Sequence, residues 1–239
     1  MTTNRMKELL QDPEINELIR QREHSNFLEY QKALVKKYRM RNKYIKKGQI
    51  LFVGSSLMEH FPIEEMQAVL SLDRFIYNRG VGGITTKDLL SLMNECIFEL
   101  EPSKIFINIG SNDIGGGLDN EKKEILLENY KEILLRIKEI LPTCEVYVMA
   151  YYPVNAKGNF GLDSESQSNM FASRNNTNIL SINEEVKELA MKLGLNFINV
   201  NEGLTDEEGN LRAEYTVEGV HMWPNAYSVI LENMKKHLY

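Results

Sequence analysis

Ser56, Glu218 and His221 are residue types that together suit acyl transfer, and each sits where a small-residue turn can present it. Ser56 closes Gly54-Ser55-Ser56, directly after the apolar run Ile50-Leu51-Phe52-Val53. A serine hydroxyl is a weak nucleophile until a base takes its proton, and the base needs a partner that fixes its tautomer. His221 is the candidate base. Glu218 stands three residues before it, with Gly219 between them to allow a tight turn. On its own, Glu218-Gly219-Val220-His221 describes an ordered surface histidine equally well. His24 and His237 lie toward the two ends of the chain, and His60, one helical turn beyond Ser56, reads as a surface or packing residue.

Acyl transfer also needs donors aimed at a developing oxyanion, each worth on the order of 3 kcal/mol. The Ser56 N–H at a helix start, the Gly83 N–H with no Cβ to block approach, and the Asn112 side-chain amide are the candidates. Glycines after a strand also serve turns, and an Asn-Asp pair such as Asn112-Asp113 also bonds its own backbone. What draws these residues together is the order of elements that must carry them. Short apolar runs at 50–53, 74–78, 104–109, 145–151 and 196–200 read as strands. Amphipathic segments at 86–100, 120–141, 179–193 and 225–238 read as helices. Such alternation implies a parallel sheet covered on both faces, with ligands beyond the carboxyl ends of its strands. Ser56, Gly83 and Asn112 all follow strands, so one sheet edge collects them. The polar stretch 154–178 is long for a connection and reads as a binding loop or lid.

Ahead of this body, two helix-prone stretches, 6–22 and 25–46, read as an appendage, with Phe27, Tyr30, Leu34 and Tyr38 at helical spacing. Residues 1–48 are therefore expected to form a helical extension packed on a domain spanning 49–239. The 239 residues suffice for one buried core. Net charge is −6, yet residues 32–47 carry eight lysines and arginines (Lys32, Lys36, Lys37, Arg39, Arg41, Lys43, Lys46, Lys47) and no acid. This run reads as a solvated helix face pairing with acids of the body, so no nucleic-acid partner is expected. Cys96 and Cys144 sit singly in apolar segments, which points to reduced thiols and no metal site. No run of about 18 apolar residues and no secretory signal is apparent, so no membrane insertion and a cytoplasmic location are expected. No dinucleotide or phosphate-loop glycine pattern occurs, and no cofactor is expected. A homodimer through the appendage helices is a further expectation.

Four blocks, Leu51-Phe52-Val53-Gly54-Ser55-Ser56-Leu57, Asn78-Arg79-Gly80-Val81-Gly82-Gly83, Ile109-Gly110-Ser111-Asn112-Asp113 and Glu218-Gly219-Val220-His221, resemble those of the SGNH hydrolases, or GDSL esterases. The similarity runs from about Gln49 to the C-terminus and is greatest to the bacterial platelet-activating-factor-acetylhydrolase-like branch. The resemblance implies a flavodoxin-like three-layer α/β/α sandwich on a central five-stranded parallel sheet. It also implies Ser56 as nucleophile, His221 as base, and Ser56, Gly83 and Asn112 as oxyanion donors. Two positions depart from the family pattern. Ser55 replaces an aspartate that is not a triad member, and Glu218 replaces the aspartate before the histidine. Ser55, Leu57, Arg79 and Trp223 are expected to touch substrate, though Leu57 and Trp223 fit core packing equally and Arg79 also reads as a pin for its own loop. The expected activity is hydrolysis of short acyl, including acetyl, esters of a small molecule, carbohydrate or lipid. The competing expectation is a non-catalytic acyl- or carbohydrate-binding relative whose Glu218 no longer supports His221.

Overall fold

A single long helix, α1 (Pro13–Arg41), opens the part of the chain that the structure, a computed structural model, describes, residues 12–239. Asp12 caps it by accepting the Glu14 N–H at 2.9 Å, and Pro13 occupies the first turn, where its missing N–H costs nothing. The expectation of two helices, 6–22 and 25–46, is corrected here. Ser25 and Asn26 are only mildly unfavourable inside a helix, and with no glycine or proline beside them the helix runs through. Residues 6–11 of the first stretch lie outside the described residues.

Beyond a short 3₁₀ turn come β1 (Ile50–Gly54), α2 (Ser56–Glu59), α3 (Ile63–Met66), β2 (Ile76–Gly80), α4 (Thr86–Cys96), β3 (Lys104–Asn108) and α5 (Ser111–Gly115). The chain continues through α6 (Asn120–Ile140), β4 (Glu145–Met149), α7 (Ser164–Phe171), α8 (Asn176–Lys192), β5 (Asn196–Ile198) and α9 (Pro224–Leu238). The strands pair in parallel in the order β2-β1-β3-β4-β5. The second strand begins two residues later than its apolar run suggested. Phe75 remains exposed, with its N–H bonded to the Gln49 side chain, and pairing extends instead through Arg79 and Gly80. The loop at 154–178 contains α7, capped by Asp163, which accepts the Glu165 and Ser166 N–H groups.

Alternating strand residues feed two apolar layers. Leu51, Val53, Ile105, Ile107, Val146 and Val148 pack with Leu89, Tyr130, Ile133 and Val186 from α4, α6 and α8. Ile50, Phe52, Phe106 and Ile198 pack with Phe61 and with Tyr227, Ile230 and Met234 of α9. With both faces covered, the strands read as continuous apolar runs, as a buried parallel sheet requires. Cys96 is buried and Cys144 half-buried, and both are free.

The C-terminal half of α1 belongs to the first layer through Val35 and Tyr38. The Tyr38 hydroxyl donates to the Gly80 carbonyl at 2.6 Å, and buried Asn42 donates to the Glu95 carbonyl at 2.8 Å. Arg39 bonds Glu95, Arg41 lies 3.9 Å from Glu64, and Lys47 lies 3.3 Å from Glu101. Part of the basic stretch therefore faces acids of the body. Register sets the edge that matters: Gly54 lies opposite Gly80 on one side and Asn108 on the other. The loops after β1, β2 and β3 thus leave the sheet at one level.

Candidate active site

At that level β1 ends in Gly54, and Ser55 begins the turn into α2. A Cβ on Gly54 would lie 2.0 Å from the Asn108 carbonyl oxygen, so only glycine lets β1 turn so close to β3. Ser56 is the first residue of α2, and its N–H is therefore free of the helix's own bonding. On the far side, Thr216 to Met222 form a tight hairpin. The Thr216 hydroxyl donates to the His221 carbonyl and accepts the Gly219 N–H, both at 2.8 Å, and Gly219 adopts φ +98. This turn aims Glu218 and His221 the same way.

The three side chains meet. Ser56 Oγ lies 2.9 Å from His221 Nε2, and His221 Nδ1 lies 2.5 Å from Glu218 Oε1. The same carboxylate oxygen accepts the His221 backbone N–H at 3.1 Å, so the longer glutamate is braced at two points. Burial pushes the Glu218 carboxyl up, but its hydrogen bonds to the imidazole and the backbone, with the nearby imidazole charge, hold it below the usual glutamate value. Beside these three side chains, the His60 ring centre lies 5.3 Å from that of His221. Burial and then the His221 charge lower the His60 pKa, against the pull of Glu218.

The loop after β2 comes next to Ser56. A Cβ on Gly82 would lie 3.7 Å from the Ser56 Cβ, and Gly83 adopts φ +75. The Gly82 N–H donates to Glu59 of α2, whose other oxygen accepts the Tyr30 hydroxyl from α1. Across the loop, Asn112 donates from Nδ2 to the Ile84 carbonyl at 3.0 Å and accepts from Arg174 Nη2 at 3.1 Å. Asp113 ties its loop to α4, accepting the Thr86 N–H at 3.0 Å and the Thr86 hydroxyl at 2.6 Å.

The residues expected to touch substrate separate into two groups. Ser55, Leu57 and Arg79 are buried. Ser55 sits beneath the turn, its carbonyl accepting the Met58 and Glu59 N–H groups, and Leu57 packs under α9. Arg79 is 1% exposed, donates to Asn42 Oδ1 at 3.0 Å and to the Asn78 carbonyl at 2.7 Å, and lies over the Tyr38 ring. Its guanidinium, set among Asn42 and the Tyr38 and Tyr77 rings, holds α1 against β2 and has no outward face. Trp223, 50% exposed beside the His221 hairpin, keeps an open face.

Phe27 and His60, which read as packing or surface residues in the sequence, and Gln31 and Arg174, which carry no signal there, all reach this edge. A Cβ on Gly83 would lie 2.4 Å from the Phe27 ring, and Gln31 donates to the Gly82 carbonyl at 2.6 Å. The helical spacing of Phe27 was legible, but nothing local told which neighbour its face would meet. A groove of about 600 Å³ runs from this point between α1 and α4, lined by Leu28, Val35, Ile84 and Leu92 among others.

Residues 53–229 match the GDSL-like Lipase/Acylhydrolase family, and the chain belongs to it. The N-acylneuraminate cytidylyltransferase of Escherichia coli is 27% identical over 194 residues, 81% of this chain and 41% of that protein. The chain thus spans less than half the length of that curated relative. A solved structure from Streptococcus pneumonia, provisionally described as a platelet activating factor, is 28% identical, with TM-score 0.81 over 93% of this chain and 99% of that one. An acetylxylan esterase from Geobacillus stearothermophilus shares the fold at TM-score 0.59 and 16% identity, covering 81% of this chain and 96% of its own. Membership of this family supports ester hydrolysis in general. Among the described residues, no helix is long and apolar enough to cross a membrane.

Proposed function

We propose that this chain is a serine esterase that cleaves short acyl esters, acetyl esters included, of a small molecule, carbohydrate or lipid. The observation that carries the reading is the unbroken hydrogen-bonded line from Ser56 Oγ through His221 to Glu218. In the first step His221 Nε2 takes the Ser56 proton as Oγ attacks the acyl carbonyl. The resulting oxyanion is met by the Ser56 N–H, the Gly83 N–H and the Asn112 amide. Collapse of the tetrahedral intermediate breaks the bond to the alkoxy oxygen, and His221 gives its proton to the leaving alcohol. Water then attacks the acyl-enzyme with His221 again as base, releasing the acid and restoring Ser56. Glu218 keeps Nδ1 protonated and stabilises the imidazolium in both steps.

Small acylated carbohydrates are the favoured substrate class. The names of two relatives, an acetylxylan esterase and an N-acylneuraminate cytidylyltransferase, refer to acylated sugars. Exposed Trp223 beside the His221 hairpin offers a flat apolar face for a sugar ring or an alkyl group. The test is hydrolysis of p-nitrophenyl esters from acetyl to octanoyl, and of acetylated sugars, by the intact chain beside Ser56→Ala. Turnover that falls at least about a thousandfold in the alanine variant supports the reading. Equal turnover by the two proteins, or none by either, overturns it.

A further inference from the structure

The two outer oxyanion donors are amide groups, and an amide presents its N–H opposite its carbonyl oxygen. For each, the carbonyl end is held by a side chain from outside the four family blocks. Gln31 of α1 donates from Nε2 to the Gly82 carbonyl at 2.6 Å. That oxygen belongs to the same peptide unit as the Gly83 N–H, and with no cis peptide bond among the described residues the two point in opposite directions. A Gly-Gly junction has little steric resistance to peptide rotation. The Gly82 N–H is fixed by Glu59, one peptide earlier. For the Gly82–Gly83 peptide itself, Gln31 is the holding group among the described residues, and it turns the Gly83 N–H away from α1.

Asn112 repeats the arrangement in a side chain. Arg174, in the loop between α7 and α8, donates from Nη2 to Asn112 Oδ1 at 3.1 Å and from Nε to the Ser111 carbonyl at 3.2 Å. With Oδ1 taken by a cation, Nδ2 must face the other way. One of its N–H groups goes to the Ile84 carbonyl, next to Gly83, and among the described residues the second has no partner. A donor on the oxygen of an amide also polarises it, strengthening the N–H on the opposite side.

We infer that Gln31 and Arg174 are positioning residues of the oxyanion hole, α1 and the loop between α7 and α8 each supplying the clamp that orients one donor. The inference rests on the esterase reading above and adds to it a catalytic contribution from helix α1. Neither residue touches the reacting atoms.

The experiment uses the full chain carrying Gln31→Leu, Gln31→Glu, Arg174→Met or Arg174→Lys, with Lys36→Ala as an α1 control. Loss of one clamp should lower kcat for an acetyl ester about 10- to 100-fold, short of the roughly 100- to 1,000-fold typical when a donor itself is removed. KM and the thermal midpoint should stay close to those of the intact chain, and Arg174→Lys should recover part of the rate. The Gly83 amide proton resonance should move in Gln31→Leu and stay in place in Lys36→Ala, a readout that needs no turnover. Adding Gly83→Ala to Gln31→Leu should cost less than the product of the two single losses. An active intact chain whose Gln31 and Arg174 variants keep kcat, or lose it only in step with thermal stability, overturns the inference and leaves the esterase reading standing. A silent intact chain overturns both. Where Gln31→Leu fails to fold, Gln31→Glu tests the same point, since its carboxylate cannot donate to the Gly82 carbonyl.

Discussion

At the scale of single residues, the glutamate at position 218 asks whether one extra methylene disturbs the proposed triad. The hairpin absorbs it. Glu218 Oε1 reaches both Nδ1 and the backbone N–H of His221, so the side chain is bent back and held at two points. Glu218→Asp should therefore shorten the reach and lower kcat about tenfold, while Glu218→Gln, which favours the wrong imidazole tautomer, should lower it by about 100- to 10,000-fold. Steady-state kinetics on one acetyl ester would check both. If Glu218→Asp turned over faster than the native chain, the native glutamate would be a weakened partner.

The same side chains set a pH dependence of stability. The Glu218 carboxyl is held below its ordinary value in the folded chain, so it stabilises the fold at neutral pH, and that contribution is lost as pH falls through the folded pKa. His60 is also depressed, by burial and then by the His221 charge. The unfolded chain therefore takes up its proton first, and stability begins to fall below about pH 6.5. Urea midpoints measured from pH 8 to pH 4 should drop in two stages. His60→Gln should flatten the upper stage, and Glu218→Gln the lower.

At the scale of elements, the site depends on strand ends that meet helices at backbone distance. Gly80 ends β2, where a Cβ would lie 2.1 Å from the Glu59 backbone nitrogen in α2. Neither partner can yield without moving an element, so Gly80→Ala should cost about 3 kcal/mol or more and lower the thermal midpoint by many degrees. Gly83→Ala is a different case. Its φ of +75 costs an alanine about 1–2 kcal/mol, and the clash is with the rim of the half-exposed Phe27 ring, which can move. That variant should fold and lose most of its turnover. Calorimetry beside ester hydrolysis would separate the two outcomes.

At the scale of the whole molecule, α1 is joined to the body by buried polar contacts as well as by packing. Asn42 bonds the Glu95 carbonyl and Glu99 while accepting from Arg79, and Tyr38 bonds Gly80. Glu95 is buried, with the Arg39 guanidinium as its counter-charge. Arg39→Ala should cost about 1–2 kcal/mol in urea denaturation, discounted because Arg39 itself is largely exposed. Removing all residues before Gly48 would uncover Val35's and Tyr38's partners and strand Arg79 without Asn42. Such a chain should express poorly or melt far below the intact protein.

Sequence periodicity was enough to place five strands and to order the helices between them, because a sheet buried on both faces demands apolar runs and an amphipathic helix demands its stripe. The candidate nucleophile, base and acid were legible as well, since each lies in a short motif whose glycines are needed for the local turn. What lies between elements was not. Arg79 reads as a possible substrate contact in its loop, yet burial against Tyr38 and Asn42 of the N-terminal segment makes it a strut. Gln31 and Arg174 carry no local signal at all, because their partners, the Gly82 carbonyl and Asn112, are 51 and 62 residues away. Local patterning determines elements and their turns. Which face of α1 lies over the Gly82–Gly83 peptide, and which way each donor of the site points, is decided only when packing brings distant segments within hydrogen-bond reach.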